Sequence, residues 1–212
     1  EVEYTDEEMR SFDLLALYVL GRAGEGGNAS ATVYSAEPVC QVCGRVSYRQ
    51  VHNLVLDFSA QEEDLLETNY FQHDFCETDF GEIVVSDRVR ALLEEQQISG
   101  VTLRPVEDLS GGASGAGPYY QLLVEPEIGP LVEPSRIERL DYCLECGRYK
   151  QVLRAAFPGT QESELFFARG TYGKQWVVKT SEQLGRAPNM HSQVLISQQL
   201  YRLLVEGNIT GF

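Results

Sequence analysis

The chain has 212 residues, 43% of them hydrophobic, which is enough for one sizeable core and excludes disorder as the account of the whole. Lys and Arg number 17 against 32 Asp and Glu, a net charge of −15, so the molecule repels phosphate backbones; a basic protein is the expected partner, not nucleic acid. No apolar run approaches the roughly 18–20 residues that span a bilayer. The longest, Leu14 to Leu20, follows Asp6, Glu7, Glu8 and Asp13 where a secretory leader is basic, so it reads as a core element and no membrane partner is expected.

In chain order, Thr5 with Glu8 forms a capping box that predicts a helix, or a helix leading into a strand, through Met9, Phe12 and the apolar run. Gly21 to Ser30 reads as a mobile loop, after which Ala31–Tyr34 is extended and leads to Cys40. Strands are expected around 46–48 and 54–58, both rich in β-branched and aromatic residues. Ser59 with Glu62 then predicts a short acidic helix through Leu65 and Leu66. Residues 70–80 carry no clear pattern and hold His73 and Cys76. A strand at 83–85, a Ser86 cap and a helical face of Val89, Leu92, Leu93 and Gln96 follow, closed by Ile98-Ser99-Gly100 and resumed as a strand at 101–103. The tract 110–117 is linker-like. Beyond it come a strand at 119–124, a third capping box at Ser135/Glu138, strands around 165–167 and 176–178, and a last helix from about Ser197.

The segment from Val84 to Val101 repeats as Leu195 to Phe212. At constant offset Ser86 meets Ser197, Leu92 and Leu93 meet Leu203 and Leu204, Glu95 meets Glu206, Ile98 meets Ile209, and Gly100 meets Gly211. Cys43-Gly44-Arg45 likewise corresponds to Cys146-Gly147-Arg148. A degenerate duplication accounts for this, and chance similarity of capped helices is the alternative.

Cys40-Gln41-Val42-Cys43-Gly44 and Cys143-Leu144-Glu145-Cys146-Gly147 are paired knuckles. Two residues between cysteines let both sulfurs face one ion, and the glycine after each accepts a positive φ. Together Cys40, Cys43, Cys143 and Cys146 predict a closed, structural zinc site that staples distant parts of the chain. A thioredoxin-like redox pair, an iron–sulfur cluster and separate disulfides are the competing readings. Cys76 is expected to be a buried small hydrophobe, with a Cys/His pair to His73 as the alternative; His52, His73 and His191 are expected to be structural or surface residues. No phosphate loop, dinucleotide fingerprint, zincin or nucleophile-elbow motif occurs, and the acidic runs Glu62-Glu63-Asp64 and Glu94-Glu95 and the pair Glu125 and Glu127 read as solvated faces.

The two Cys-x-x-Cys-Gly knuckles, the acidic balance, the Val-Val-Ser-Asp-Arg-Val…Ile-Ser-Gly-Val block at 84–101 and the Ser…Ile-Thr-Gly-Phe block ending at Phe212 together resemble the double-CxxCG family of myxobacterial immunity proteins, which are linked to Sit-type swarm-exchange toxins. The resemblance runs from about Tyr34 to Phe212. The family's first knuckle usually has Pro after the first Cys, where this chain has Gln41 and Val42. The resemblance implies a cytoplasmic, non-catalytic protein that binds and blocks one cognate toxin domain, with a structural zinc on Cys40, Cys43, Cys143 and Cys146. The expectation is one compact α+β domain over 1–212. Its pseudo-repeat halves, 31–109 and 118–212, flank a Gly/Ser-rich linker at 110–117; each supplies a knuckle and a strand–helix unit, and the halves join through a zinc-ribbon-like Cys₄ site. A zinc-ribbon adaptor in a larger assembly is the second reading, and a hydrolase with an unrecognised carboxylate or Cys/His site the third.

Overall fold

The computed structural model describes residues 13–23, 32–58, 71, 73–109, 117–133, 135, 137–154, 165–168, 170–171, 173–186 and 191–212. Among them the fold is mixed α+β, mostly sheet, with two helices. In chain order the elements are β1 (Leu14–Ala16), β2 (Gly21–Arg22), β3 (Tyr34–Cys40), β4 (Arg45–Gln50), β5 (Val55–Leu56), β6 (Phe75–Glu77), β7 (Ile83–Ser86), α1 (Asp87–Glu95), β8 (Val101–Pro105) and β9 (Glu107–Asp108). Then follow β10 (Tyr119–Val124), β11 (Glu127–Ile128), β12 (Ile137–Cys143), β13 (Arg148–Arg154), β14 (Val177–Arg186), β15 (His191–Ser197) and α2 (Gln198–Glu206).

One sheet runs β2-β6-β7-β10-β8, and the other β1-β15-β14-β13-β12 with β11 beside β14. The order is not local. β10 lies antiparallel to β7, pairing Tyr119 with Ser86 and Gln121 with Val84, while β1 lies antiparallel to β15, pairing Leu14 with Ser197 and Ala16 with Leu195. The first described strand thus joins the last strand–helix unit, and the strand after the glycine tract joins the first. Behind each unit a short parallel strand is added in the same way, β2 on β6 and β11 on β14.

The two units match in their caps. Ser86 Oγ accepts from the Val89 amide and Ser197 Oγ from the Leu200 amide, each satisfying an orphan donor and contributing about 1 kcal/mol. Both helices end the same way: Ile98 N donates to Leu93 O as Ile209 N does to Leu204 O, around Gln97 and Asn208 at φ 52° and 50°. The left-handed residue is therefore Gln97 or Asn208, not the glycine that the sequence offered as the stop. Gly100 and Gly211, at φ +88° and +89°, turn the chain afterwards. A Cβ on Gly211 would meet the Phe75 carbonyl oxygen at 2.3 Å.

Both helices bury their apolar faces in one cluster. Val89, Leu93 and Ile98 meet Leu200, Leu204 and Ile209 there, with Phe75, Leu122, Val177 and Ile196. Each fully buried leucine or valine contributes about 1.5–3 kcal/mol.

Several expectations are corrected. The Ser135/Glu138 capping box starts no helix, because Ile137–Cys143 is strand β12, paired along its length with β13. Ser135 instead accepts from the Phe166 amide at 2.7 Å and donates to the Phe166 carbonyl at 3.2 Å. The strand expected at 165–167 is reduced to one bridge between Phe167 and Leu131. Gly21 opens strand β2 and not a loop, and Phe75–Glu77, in the segment without a clear pattern, is central strand β6. Leu14–Ala16 is a strand, in keeping with the second of the two alternatives for the opening run. The Thr5/Glu8 and Ser59/Glu62 capping boxes and nearly all of the 110–117 linker lie outside the described residues.

A buried carboxylate ties the ends together. Asp74, 6% exposed, accepts from Ser86 Oγ (2.6 Å), Arg88 Nη1 (2.9 Å), Thr210 N (3.1 Å) and Thr210 Oγ1 (3.2 Å). Arg88 Nη2 also donates to the carbonyls of Gly207 and Asn208. Since Arg88 stays wet, the ion pair itself adds little. The weight falls on the hydrogen bonds that the Thr210 amide and Ser86 hydroxyl give to the buried carboxylate. Asp74→Ala should cost about 2 kcal/mol in urea unfolding, and Ser86→Ala about 1 kcal/mol through the lost cap; an unchanged midpoint for Asp74→Ala would show that the network is idle.

Candidate metal centre

Each knuckle is the turn of a β-hairpin. β3 and β4 flank residues 41–44, and β12 and β13 flank residues 144–147. Gly44 and Gly147 sit at φ +70° and +66°, as the knuckle pattern requires, and nothing lies within 4 Å of a Cβ built on Gly44, so backbone angle and not space fixes the glycine there. Gly147 N closes its turn on the Cys143 carbonyl at 2.9 Å. Each incoming strand is irregular just before its first cysteine: β3 shifts register between Pro38 and Cys40, and Asp141 of β12 takes φ 57°. Such a kink re-aims the end of a strand.

The hairpins are anchored from both sides. Gln50 of β4 and buried Gln121 of β10 exchange amide hydrogen bonds at 3.1 and 2.7 Å. Tyr34 and Thr78 hydroxyls both donate to the Glu82 carboxylate, fixing the root of β3. Burial and that carboxylate push the Tyr34 phenol upward, so it stays a donor. On the other side β13 pairs with the far end of β14, and Glu182 accepts from Arg139 Nη2 at 2.5 Å and from the Leu131 amide at 2.8 Å.

All four knuckle sulfurs converge, lying within 4.8 Å of one another. Cys40 Sγ is 3.8 Å from Cys143 Sγ, and Cys43 Sγ is 3.9 Å from Cys146 Sγ. With a metal–sulfur bond of about 2.3 Å, the edge of a tetrahedron is about 3.8 Å, so the residues fit one four-coordinate ion. The bridging sulfides of an iron–sulfur cluster need a wider cage. The cysteines are free thiols, and Cys40 ends a strand instead of opening a helix, which sets the disulfide and thioredoxin readings aside. Hydrogen bonds from the backbone amides of Cys146 and Glu145 bring the Cys143 thiol down to about 7, a preference for the thiolate that a metal uses.

The remaining candidates separate from this centre. Cys76 is fully buried, burial pushes its thiol up to about 11, and it donates to the His73 carbonyl at 3.4 Å, the environment of a structural cysteine and not of a nucleophile. His52, His73 and His191 are exposed. Glu94 pairs with Arg90 on the surface of α1, and Glu125 accepts from Thr102 Oγ1. Sequence reasoning missed Asp74, Gln121 and Glu82, whose roles depend on partners from distant parts of the chain. No family model matches the chain, and no match was found among the curated proteins.

Purified under reducing conditions, the protein should carry one metal ion per chain by elemental analysis. Cys43→Ser should lose the ion and destabilise the fold by several kcal/mol; full thermal stability without metal would contradict a structural role. In the metal-free protein, thiolate absorbance should begin to rise as the pH passes about 7.

Proposed function

We propose that the chain is a non-catalytic, cytoplasmic immunity protein that binds and neutralises a cognate basic toxin domain, and that its ion is a structural zinc. We propose also that it is a degenerate duplication, each half giving one knuckle and one strand–helix unit. The matched caps, φ angles and strand registers of the two units support the duplication. The closed set of four thiolates supports zinc, because it suits a soft, tetrahedral ion with no open position for substrate.

The observation that carries the binding reading is where the charge lies. In the hairpin strands and knuckles Glu37, Glu138, Asp141 and Glu145 are outnumbered by Arg45, Arg49, Arg139, Arg148, Lys150 and Arg154, so among the described residues the acidic excess lies in the body that carries the hairpins. A body of that charge steers a cationic partner toward itself and raises its association rate. The resemblance of the knuckles and of the two Ile-x-Gly blocks to immunity proteins supplies the kind of partner. An adaptor role is the second reading, favoured by the exposed knuckle tips Val42 and Leu144, the latter 91% exposed.

Co-expression with the product of the neighbouring gene tests the proposal. Growth rescue with a one-to-one complex is expected, with association that slows as salt rises. No toxicity to rescue and capture of several unrelated partners would move the assignment to the adaptor.

A further inference from the structure

We infer that the four knuckle thiols are also an oxidation site, at which peroxide pairs the sulfurs across the two hairpins so that closure of the arm passes from an ion to disulfide bonds. The inference rests on the reading of Cys40, Cys43, Cys143 and Cys146 as a metal centre and adds a second, covalent form of it. Two close sulfur contacts each join one hairpin to the other: Cys40 Sγ to Cys143 Sγ at 3.8 Å, and Cys43 Sγ to Cys146 Sγ at 3.9 Å. Each pairs the same position of the two knuckles, first cysteine with first and second with second. The two contacts are unequally covered. Cys40 and Cys143 are buried, whereas Cys43 and Cys146 are half-buried. Beside them Val42 and Leu144 are 76% and 91% exposed, which leaves the outer pair open to a small oxidant.

Geometry favours pairing between hairpins over pairing within a knuckle. A disulfide holds its sulfurs at about 2.05 Å, so each cross-hairpin contact has to close by about 1.8 Å. Two tips that bury little supply that distance by leaning together and rotating the cysteine side chains, while the ladders β3–β4 and β12–β13 stay paired behind them. Within a knuckle both sulfurs belong to one turn. The Gly147 amide closes that turn on the Cys143 carbonyl at 2.9 Å, and Gly44 and Gly147 hold φ of +70° and +66°. Bringing Cys40 onto Cys43, or Cys143 onto Cys146, has to be done inside the fixed turn, with no second element to move.

Hydrogen peroxide is the oxidant that balances the step. The Cys43 or Cys146 thiolate attacks one peroxide oxygen, an S–O bond forms as the O–O bond breaks, and the hydroxide that leaves is protonated by solvent. The partner thiolate across the interface then attacks the sulfenic sulfur; the S–S bond forms, the S–O bond breaks, and a second hydroxide leaves as water. Two thiolates lose one electron each, the peroxide is reduced to two waters, and two protons come from solvent. Cys40 and Cys143, the thiolates left, are half of a tetrahedral set and no longer hold an ion tightly. A second equivalent of peroxide joins them to each other. Residues 43 and 146 lie 103 positions apart, and a link across so long a loop constrains the chain strongly, so the hairpins stay joined after the ion has left.

Treating the metal-loaded chain with one and then two equivalents of hydrogen peroxide tests the inference. Release of the ion, followed with a chromogenic chelator, should be at least about tenfold faster than without peroxide. After thiol blocking and trypsin, residues 23–45 and 140–148 should be recovered as one cross-linked species, since no Lys or Arg separates the two cysteines of a knuckle. Fragmentation should assign Cys43–Cys146 after one equivalent, with Cys40–Cys143 added after two. The Gly147 amide should exchange within about threefold of its rate in the metal-loaded chain, and at least about tenfold faster in the reduced, metal-stripped chain. Cys76→Ser keeps all four knuckle thiols and should give the same cross-link. Disulfides within each knuckle, recovered as two separate peptides, or a Gly147 amide that opens on oxidation as far as on stripping, overturn the inference. Thiols that stay reduced with the ion bound overturn it too and leave the structural metal standing. A chain that purifies without metal yet yields the cross-linked pair overturns the metal centre and keeps the pairing of the sulfurs.

Discussion

Backbone pairing between distant stretches of the chain is the constraint on which the rest depends. Leu14–Ala16 completes the sheet of the last strand–helix unit, and Tyr119–Val124 completes that of the first, so neither unit satisfies its own backbone with local strands alone. The exchange presses α1 and α2 into one apolar cluster and brings Thr210 over Asp74. It also sets the two hairpins side by side. β4 is held to β10 through Gln50 and Gln121, and β13 continues from β14, so the positions of the hairpins follow from the sheets.

The four-sulfur centre is the second closure of the same structure. A turn with free thiols at its tip has little to hold it, because the tips themselves bury almost nothing: Val42 and Leu144 face solvent. An ion shared by Cys40, Cys43, Cys143 and Cys146 would convert two exposed hairpins into one rigid arm, with free energy that a small apolar contact could not supply. The anchoring residues Glu82, Gln50 and Glu182 lie at the roots, where their hydrogen bonds tie each hairpin to the rest of the fold.

What could be read in advance differs from element to element for physical reasons. The strand–helix units were plain because their signals are local: a serine cap, an apolar face at helical spacing and a stop. Even there the stop was misplaced, since Gln97 and Asn208 take the left-handed angle and the glycines serve the turn that follows. Ser135 and Glu138 have the spacing of a helix start, yet pairing with β13 outweighs it; a capping box is worth about a kcal/mol, less than a full ladder of strand hydrogen bonds. β6 escaped notice because a central strand of three residues is too short for any period to register.

The knuckle spacing by itself determined that each Cys-x-x-Cys pair can turn two sulfurs toward one ion, because the geometry of such a turn is set by bonds within five residues. The composition determined that the molecule is strongly acidic. Only the tertiary structure decided that the sulfurs meet at 3.8 and 3.9 Å and that each strand–helix unit takes a strand from a distant part of the chain. These are consequences of which strand lies beside which, and that choice is made by the burial of a shared core between segments a hundred residues apart, where local pattern carries no information.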